Sequence, residues 1–342
     1  MSEPTKPHPR LRAFVERAGL AAADEPATWT PLTGGVSSDI WRVDVGERTF
    51  CIKCALPRLK VAQPWHAPVE RNAYEWAWIN FAAARCPDNV PVPLAHDADE
   101  GIFAMSYLDD ARYPNWKRLL LGGVADASVA RQVGAIVARL HAASARDATI
   151  AAAFATDAIF HAIRLEPYLV ATAAHHPVLG RALRALVERT AATRLALVHG
   201  DVSPKNILLG PRGPVILDAE CAWFGDPAFD AAFCLNHLLL KCVARRRFTD
   251  DYLRCYAAFS DAYLGGVTWE TRDAIEARVA SLLPALALAR IDGKSPVEYL
   301  TDDADRQRVR DTTAPMIESA PQRLDAIAAE WRRVFAAPVD AA

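Results

Sequence analysis

Apolar and polar positions along the chain fall into two regimes. After a Pro-rich, flexible tail over residues 1–9, Leu11, Phe14, Val15 and Ala18 recur at helical spacing, and Gly19 follows as a C-cap. Over 29–56 the period changes to two. Ile40, Arg42 and Asp44 interleave with Trp41, Val43 and Val45, Gly46-Glu47 supplies a turn, and 49–55 returns, which predicts a hairpin behind the Gly-rich stretch 33–38. The spacing of Tyr74, Trp78 and Phe81 predicts a helix over 70–84, Val90-Pro91-Val92-Pro93 forces an extended connection, and 101–108 has strand composition. Beyond Asp109-Asp110 the pattern turns helical, with amphipathic stretches near 128–143, 181–193, 229–243, 250–264, 269–289 and 321–335. Strands first and helices after predict an α+β protein of two lobes: a small β-rich lobe over 1–108 and a larger, mainly helical one over 109–342.

Charge narrows the function. The 342 residues carry 39 basic and 41 acidic side chains, a net charge of −2, so no basic footprint draws this chain to nucleic acid. Arg245-Arg246-Arg247 reads as a solvated helix end. The N-terminus lacks the apolar core of a signal peptide, and no window reaches the roughly 18 apolar residues of a membrane span, so the expected location is the cytoplasm, without membrane contact. Seven scattered cysteines fit reduced thiols. Cys51 and Cys54 form a C-x-x-C, but on a strand residues three apart face opposite ways, which argues against a metal site.

The chemistry concentrates in 197–218. Two apolar runs flank Gly210-Pro211-Arg212-Gly213-Pro214, which marks a hairpin turn. Folding about Arg212 places Leu209 opposite Val215 and brings Asn206 beside Asp218 at the hairpin's mouth. An amide oxygen next to a carboxylate is a hard, oxygen-only pair suited to Mg²⁺ shared with phosphate. Asp201, in the loop before Asn206, is placed to accept a proton from a substrate hydroxyl.

At these residues the chain resembles the aminoglycoside phosphotransferase and choline kinase superfamily, small-molecule kinases with a protein-kinase-like fold. His199-Gly200-Asp201 through Asn206 matches H-G-D-x-x-x-x-N, and Gly225-Asp226-Pro227-Ala228-Phe229-Asp230 matches G-D-P-x-x-D. The resemblance implies Asp201 as catalytic base, Asn206 and Asp218 as Mg²⁺ ligands, and His199 as a support for the loop. Asp226, followed by Pro227, reads as a helix cap, and Asp230 as a brace of the catalytic loop. In the first lobe the resemblance implies that Lys53 holds the phosphates of ATP or another nucleoside triphosphate, with Glu70 as its helix partner and Glu75 as the rival. It also implies that Gly34, Gly35, Ser37 and Ser38 cover the triphosphate, that Met105 and Tyr107 lie along the purine, and that the nucleotide binds between the lobes.

The expected activity is ATP- and Mg²⁺-dependent phosphorylation of a hydroxyl on a small metabolite. The competing reading is a catalytically silent pseudokinase acting through a protein partner, against which stand the intact Lys53, Asp201, Asn206 and Asp218. Candidate acceptor contacts are Glu220 and Trp223 beyond the metal aspartate, and Arg290 and Lys294 after a long apolar helix; if these last two face the cleft, the acceptor carries negative charge or several hydroxyls. Asp302-Asp303-Ala304-Asp305 is the one dense acidic run, too little to hold the ammonium groups of an aminoglycoside. Gly293-Lys294-Ser295 imitates the end of a Walker A loop but lacks its first glycine.

Overall fold

The computed structural model describes residues 7–32, 38–56 and 69–336. The chain divides into two compact units, Met1–Asp109 and Asp110–Ala342. The first opens with helix α1 (Pro9–Arg17), whose Leu11, Phe14 and Val15 are buried. Gly19, at φ +66°, releases the chain from it. Strands β1 (Ala27–Leu32), β2 (Ser38–Val45), β3 (Arg48–Ala55), β4 (Pro93–Asp97) and β5 (Ile102–Ser106) form one antiparallel sheet in the order β1-β2-β3-β5-β4. One face packs Trp41, Val43, Val45 and Ile52 against Phe14 and Val15 of α1. Between β3 and β4 lies helix α2 (Arg71–Ala83).

The second unit is mainly helical: α3 (Trp116–Leu121), α4 (Ala127–Ser144), α5 (Ala148–Ala153), α6 (Asp157–Phe160), a π-helix (His161–Val170), α7 (Ala171–His175) and α8 (Gly180–Ala192). Two small antiparallel pairs follow, β6 (Ala196–Val198) with β9 (Trp223–Gly225), and β7 (Ile207–Gly210) with β8 (Gly213–Ile216). Helices α9 (Ala228–Ala244), α10 (Thr249–Gly265), α11 (Arg272–Asp292), α12 (Asp303–Ser319) and α13 (Leu324–Phe335) complete it. Nearly every side chain of α9 is buried, which makes it the axis of the unit. No described helix is long and apolar enough to cross a membrane.

The amphipathic stretches fold as helices close to their expected bounds. The short helices α3 and α5, the run from α6 through α7, and α12 lie outside the expected stretches. The run from α6 through α7 contains Pro167, a residue that argues against a helix interior, and is wound as a π-helix at its centre. Helix α12 is polar, burying only Val309, Thr312, Thr313 and Ile317, and the acidic run forms its start, where the Asp302 carboxylate accepts the Asp305 N–H at 2.8 Å. The arginine run does end a helix: Arg245 caps α9 and donates to the Leu121 carbonyl, while Arg246 pairs with Asp305.

Helices α4 and α10 meet closely at Gly134, where an added Cβ would stand 2.5 Å from the Phe259 carbonyl oxygen. Gly134→Ala gains helix propensity but forces the helices apart, and a net loss of about 1–3 kcal/mol is expected. Urea unfolding checks this; an unchanged or raised midpoint would show that α4 and α10 can separate without cost.

Candidate active site

Strand β6 leads into the loop 199–206, and α9 holds it. The Asp230 carboxylate accepts the His199 and Gly200 N–H groups at 2.7 and 2.8 Å, and lies 3.1 Å from His141 Nε2. Tyr263 continues the chain, its hydroxyl 3.0 Å from His141 Nδ1 and from the Pro227 carbonyl. His199 is fixed at both nitrogens: Nδ1 accepts the Asp201 N–H at 3.1 Å and Nε2–H donates to the Leu217 carbonyl at 3.1 Å. Burial pushes its pKa below the ordinary value against the pull of Asp230, Asp201 and Asp218, so the ring is neutral, as that bonding pattern requires.

Asp201 is 3% exposed. Its Oδ2 lies 2.8 Å from Arg164 Nη2 and 3.0 Å from Lys205 Nζ. Burial alone would raise its pKa; Lys205 and Arg164 outweigh that and hold the carboxyl below the ordinary carboxylate range. Oδ1 is buried and accepts no hydrogen bond among the described residues. Arg164 comes from the π-helix and also donates Nε–H to the Gly200 carbonyl. No sequence motif flags it; an arginine within an otherwise apolar helix, Ile163-Arg164-Leu165, is the only signal.

The β7–β8 register differs by one from that expected: Leu209 faces Pro214 and Leu208 faces Val215, because Pro211-Arg212 makes a two-residue turn rather than one centred on Arg212. Asn206 therefore faces Leu217, whose N–H donates to the Asn206 carbonyl at 2.8 Å. Asp218, one residue on, has φ +70°, which takes it off the ladder. Asn206 Nδ2 donates to the Asp201 carbonyl at 3.1 Å, which turns the amide so that its oxygen remains for a cation. The Asn206 amide oxygen and the Asp218 carboxylate are hard oxygen donors, the kind that would suit Mg²⁺, and the described cysteines are all buried and free.

In the first unit Lys53, on the central strand β3, pairs with Glu75 of α2, Nζ to Oε2 at 2.7 Å, and both side chains are almost fully buried. The expected partner Glu70 is thereby corrected. It stands at the N-cap of α2, exposed and outside the helical turns, so the face turned to β3 begins with Arg71 and carries Glu75. Met105, the penultimate residue of β5, lies opposite Cys51, and Tyr107, just past the strand, has the Arg42 guanidinium 4.8 Å from its ring. Ser38 is buried at the start of β2; Gly34, Gly35 and Ser37 lie outside the described residues.

The four acceptor candidates are not gathered at one place. Trp223 is a core residue, stacked on Phe160 at 4.2 Å with its N–H on Asp157, and not a contact for an acceptor; β9 buries all three of its side chains. Lys294 is spent in a half-exposed pair with Glu166 at 2.6 Å. Arg290 is buried, donating to the Tyr168 hydroxyl at 3.3 Å and to Ser295 Oγ at 2.9 Å. Glu220 is half-buried, within electrostatic reach of Arg164. Asp226 caps α9 by accepting the Ala228 N–H at 3.0 Å and is held by Arg278.

A buried carboxylate thus braces a histidine-bearing loop, which is followed by an asparagine and by a hairpin leading to an aspartate. The family model described as "Phosphotransferase enzyme family" matches residues 28–275, and the chain belongs to that family. It is similar to methylthioribose kinase of Bacillus cereus, 23% identical over 237 residues, covering 60% of this chain and 58% of that protein. The chain thus matches less than two thirds of that relative's length. Among solved structures, it resembles an ethanolamine kinase of Plasmodium vivax (TM-score 0.55, 12% identity, covering 94% of this chain and 93% of that one). It also resembles a choline/ethanolamine kinase family protein of Mesorhizobium loti (TM-score 0.52, 17% identity, covering 95% and 99%). The fold is therefore the two-lobed kinase-like α+β fold.

Removing one member of the Lys53–Glu75 pair strands a buried charge. Glu75→Ala is expected to lose about 3–5 kcal/mol of stability, whereas Glu70→Ala should stay within about 0.5 kcal/mol of the parent. Thermal and urea unfolding of the two variants decide between the glutamates, and an equal loss from both would restore Glu70 as a partner.

Proposed function

We propose that this protein is a kinase of small molecules, transferring the γ-phosphoryl group of ATP or a related nucleotide to a hydroxyl of a metabolite, with Mg²⁺ held by Asn206 and Asp218. The observation that carries the reading is Asp201: a buried, ionised carboxylate with one oxygen fixed by two cations and the other without a hydrogen-bond partner among the described residues. That second oxygen is available to orient an acceptor hydroxyl and take its proton as the oxygen attacks phosphorus. Arg164 and Lys205 hold the carboxylate in place, and Lys205, half exposed, is placed to steady the phosphoryl group in transit. When bound, Mg²⁺ neutralises charge on the nucleotide phosphates. Lys53, oriented by Glu75, is the residue we assign to the α- and β-phosphates. Ser38, together with Gly34, Gly35 and Ser37 outside the described residues, is assigned to the triphosphate, and Met105 and Tyr107 to the purine. The family membership and the methylthioribose kinase relatives support transfer to a small hydroxylated acceptor, and the intact Lys53, Asp201, Asn206 and Asp218 weigh against a silent pseudokinase.

Labelled ATP with a metabolite panel tests this. Asp201→Asn should lower transfer about 10²- to 10⁴-fold, and chelation of divalent cations should abolish it; transfer that survives in Asp201→Asn refutes the base. The pH profile supplies a second check. Because the folded Asp201 pKa lies below the ordinary carboxylate value, the base stays ionised as pH falls through about 5, and its acid limb should appear only below about pH 4. A limb near pH 6 assigned to this carboxylate would contradict the cation pairing.

A further inference from the structure

We propose that the acceptor carries an anionic group, a carboxylate or a phosphate, held by Lys241, Lys117 and Arg290. This rests on the kinase reading above and names the substrate class of that site. Lys241, on α9, is fully buried, and its ammonium donates no hydrogen bond among the described residues. It lies 3.8 Å from the centroid of the Tyr299 ring. Lys117, on α3, approaches the same ring at 6.0 Å and pairs with Glu298. Arg290, on α11, has its Nε buried without a hydrogen-bond partner among the described residues, and the Tyr299 hydroxyl is in the same state. Three cations from three helices thus gather near Tyr299 with three polar atoms unmet, Lys241 Nζ, Arg290 Nε and the Tyr299 hydroxyl, against one carboxylate, Glu298, among the described residues.

The cluster is continuous with the proposed base. Arg290 donates to the Tyr168 hydroxyl, the Arg164 guanidinium stands 5.9 Å from the Tyr168 ring, and Arg164 pairs with Asp201. Asn115, at the start of α3, donates to the Lys205 carbonyl at 2.7 Å, so Lys117 is tied to the same loop. His237, one turn before Lys241 on α9, is pushed well below its ordinary pKa by burial and by Arg290, Lys241, Lys205 and Lys117 together. Such an array repels an ammonium-bearing acceptor and leaves a buried lysine that an apolar side chain of equal length would replace without penalty. An anion is the partner that removes the conflict.

The groups facing Lys241 are Lys117 from α3, Arg290 from α11, Glu298 and Tyr299 from the following segment, and His237 and Cys242 from α9. Burial, Lys117 and Arg290 bring the Lys241 pKa down to about 7. At pH 8 an arriving anion raises it again, so binding is accompanied by proton uptake. Calorimetry of the full chain in two buffers of different ionisation enthalpy, with D-gluconate, ribose 5-phosphate, ribose and choline as probes, tests this, alongside transfer from labelled ATP to each. The expected result is that D-gluconate or ribose 5-phosphate binds at least tenfold tighter than ribose, with proton uptake and no choline binding. Which acid binds separates carboxylate from phosphate. Lys241→Met should weaken that binding tenfold or more, and Lys117→Met, at a part-exposed position that does not threaten folding, should weaken it severalfold. No binding of either acid, preference for ribose or choline, or unchanged affinity in both variants overturns the proposal. Acid binding without phosphoryl transfer keeps the anion site and sinks the kinase reading; phosphorylation of ribose or choline keeps the kinase and sinks the anion site.

Discussion

A single carboxylate in the first turn of α9 sets the geometry on which the candidate site depends. Asp230 accepts two consecutive backbone N–H groups from His199 and Gly200. A buried charge without such donors costs several kcal/mol, and each N–H left without its acceptor would cost about 1–3 kcal/mol. The loop and α9 therefore satisfy each other. From His199 the constraint passes through its imidazole to the Leu217 carbonyl, and Leu217 in turn donates to the Asn206 carbonyl. Positions 201 and 206 are thus connected to one buried helix by hydrogen bonds, and Asp218 follows Leu217 directly along the chain.

Backbone conformation completes what these bonds begin. Gly200 has φ +80°, and a Cβ there would fall 2.8 Å from the Cys221 carbonyl oxygen, so both the angle and the space demand glycine. Asp218 adopts φ +70° with a side chain, a conformation that aspartate tolerates better than most residues. A strained aspartate immediately after a hairpin persists because its neighbours over-determine it, as is common where a ligand is held.

Much of this was legible in the sequence because the informative residues are local. H-G-D, the asparagine and the hairpin before Asp218 follow one another, and period and turn chemistry place them without knowledge of tertiary contacts. Where a choice depended on how one element meets another, the sequence was mute. Whether Glu70 or Glu75 reaches Lys53 turns on where α2 begins, a matter of one residue, and the hairpin register turns on whether Pro211-Arg212 or Arg212 alone makes the bend. Trp223 looked accessible a few residues beyond Asp218, but β9 pairs with β6 and buries it. Arg164 was invisible since Pro167 argues against a helix there and its partner Asp201 lies far along the chain.

The π-helix that carries Arg164 touches both the proposed base and the cationic cluster. Widening the turn shifts side chains relative to an α-helix, and such segments concentrate at functional sites. Here Arg164 reaches the Gly200 carbonyl and Asp201, and Tyr168, four residues on, reaches Arg290. Pro167 between them has no N–H to give, but its carbonyl accepts the Lys294 N–H at 2.8 Å, and Gly293 allows that approach since a Cβ there would stand 2.8 Å from the same oxygen. The end of α11 is therefore docked on the helix that positions Asp201. A displacement of either would move the proposed base and the cationic cluster together, so alignment of the acceptor with the base is a property of one packed unit rather than of two independent contacts.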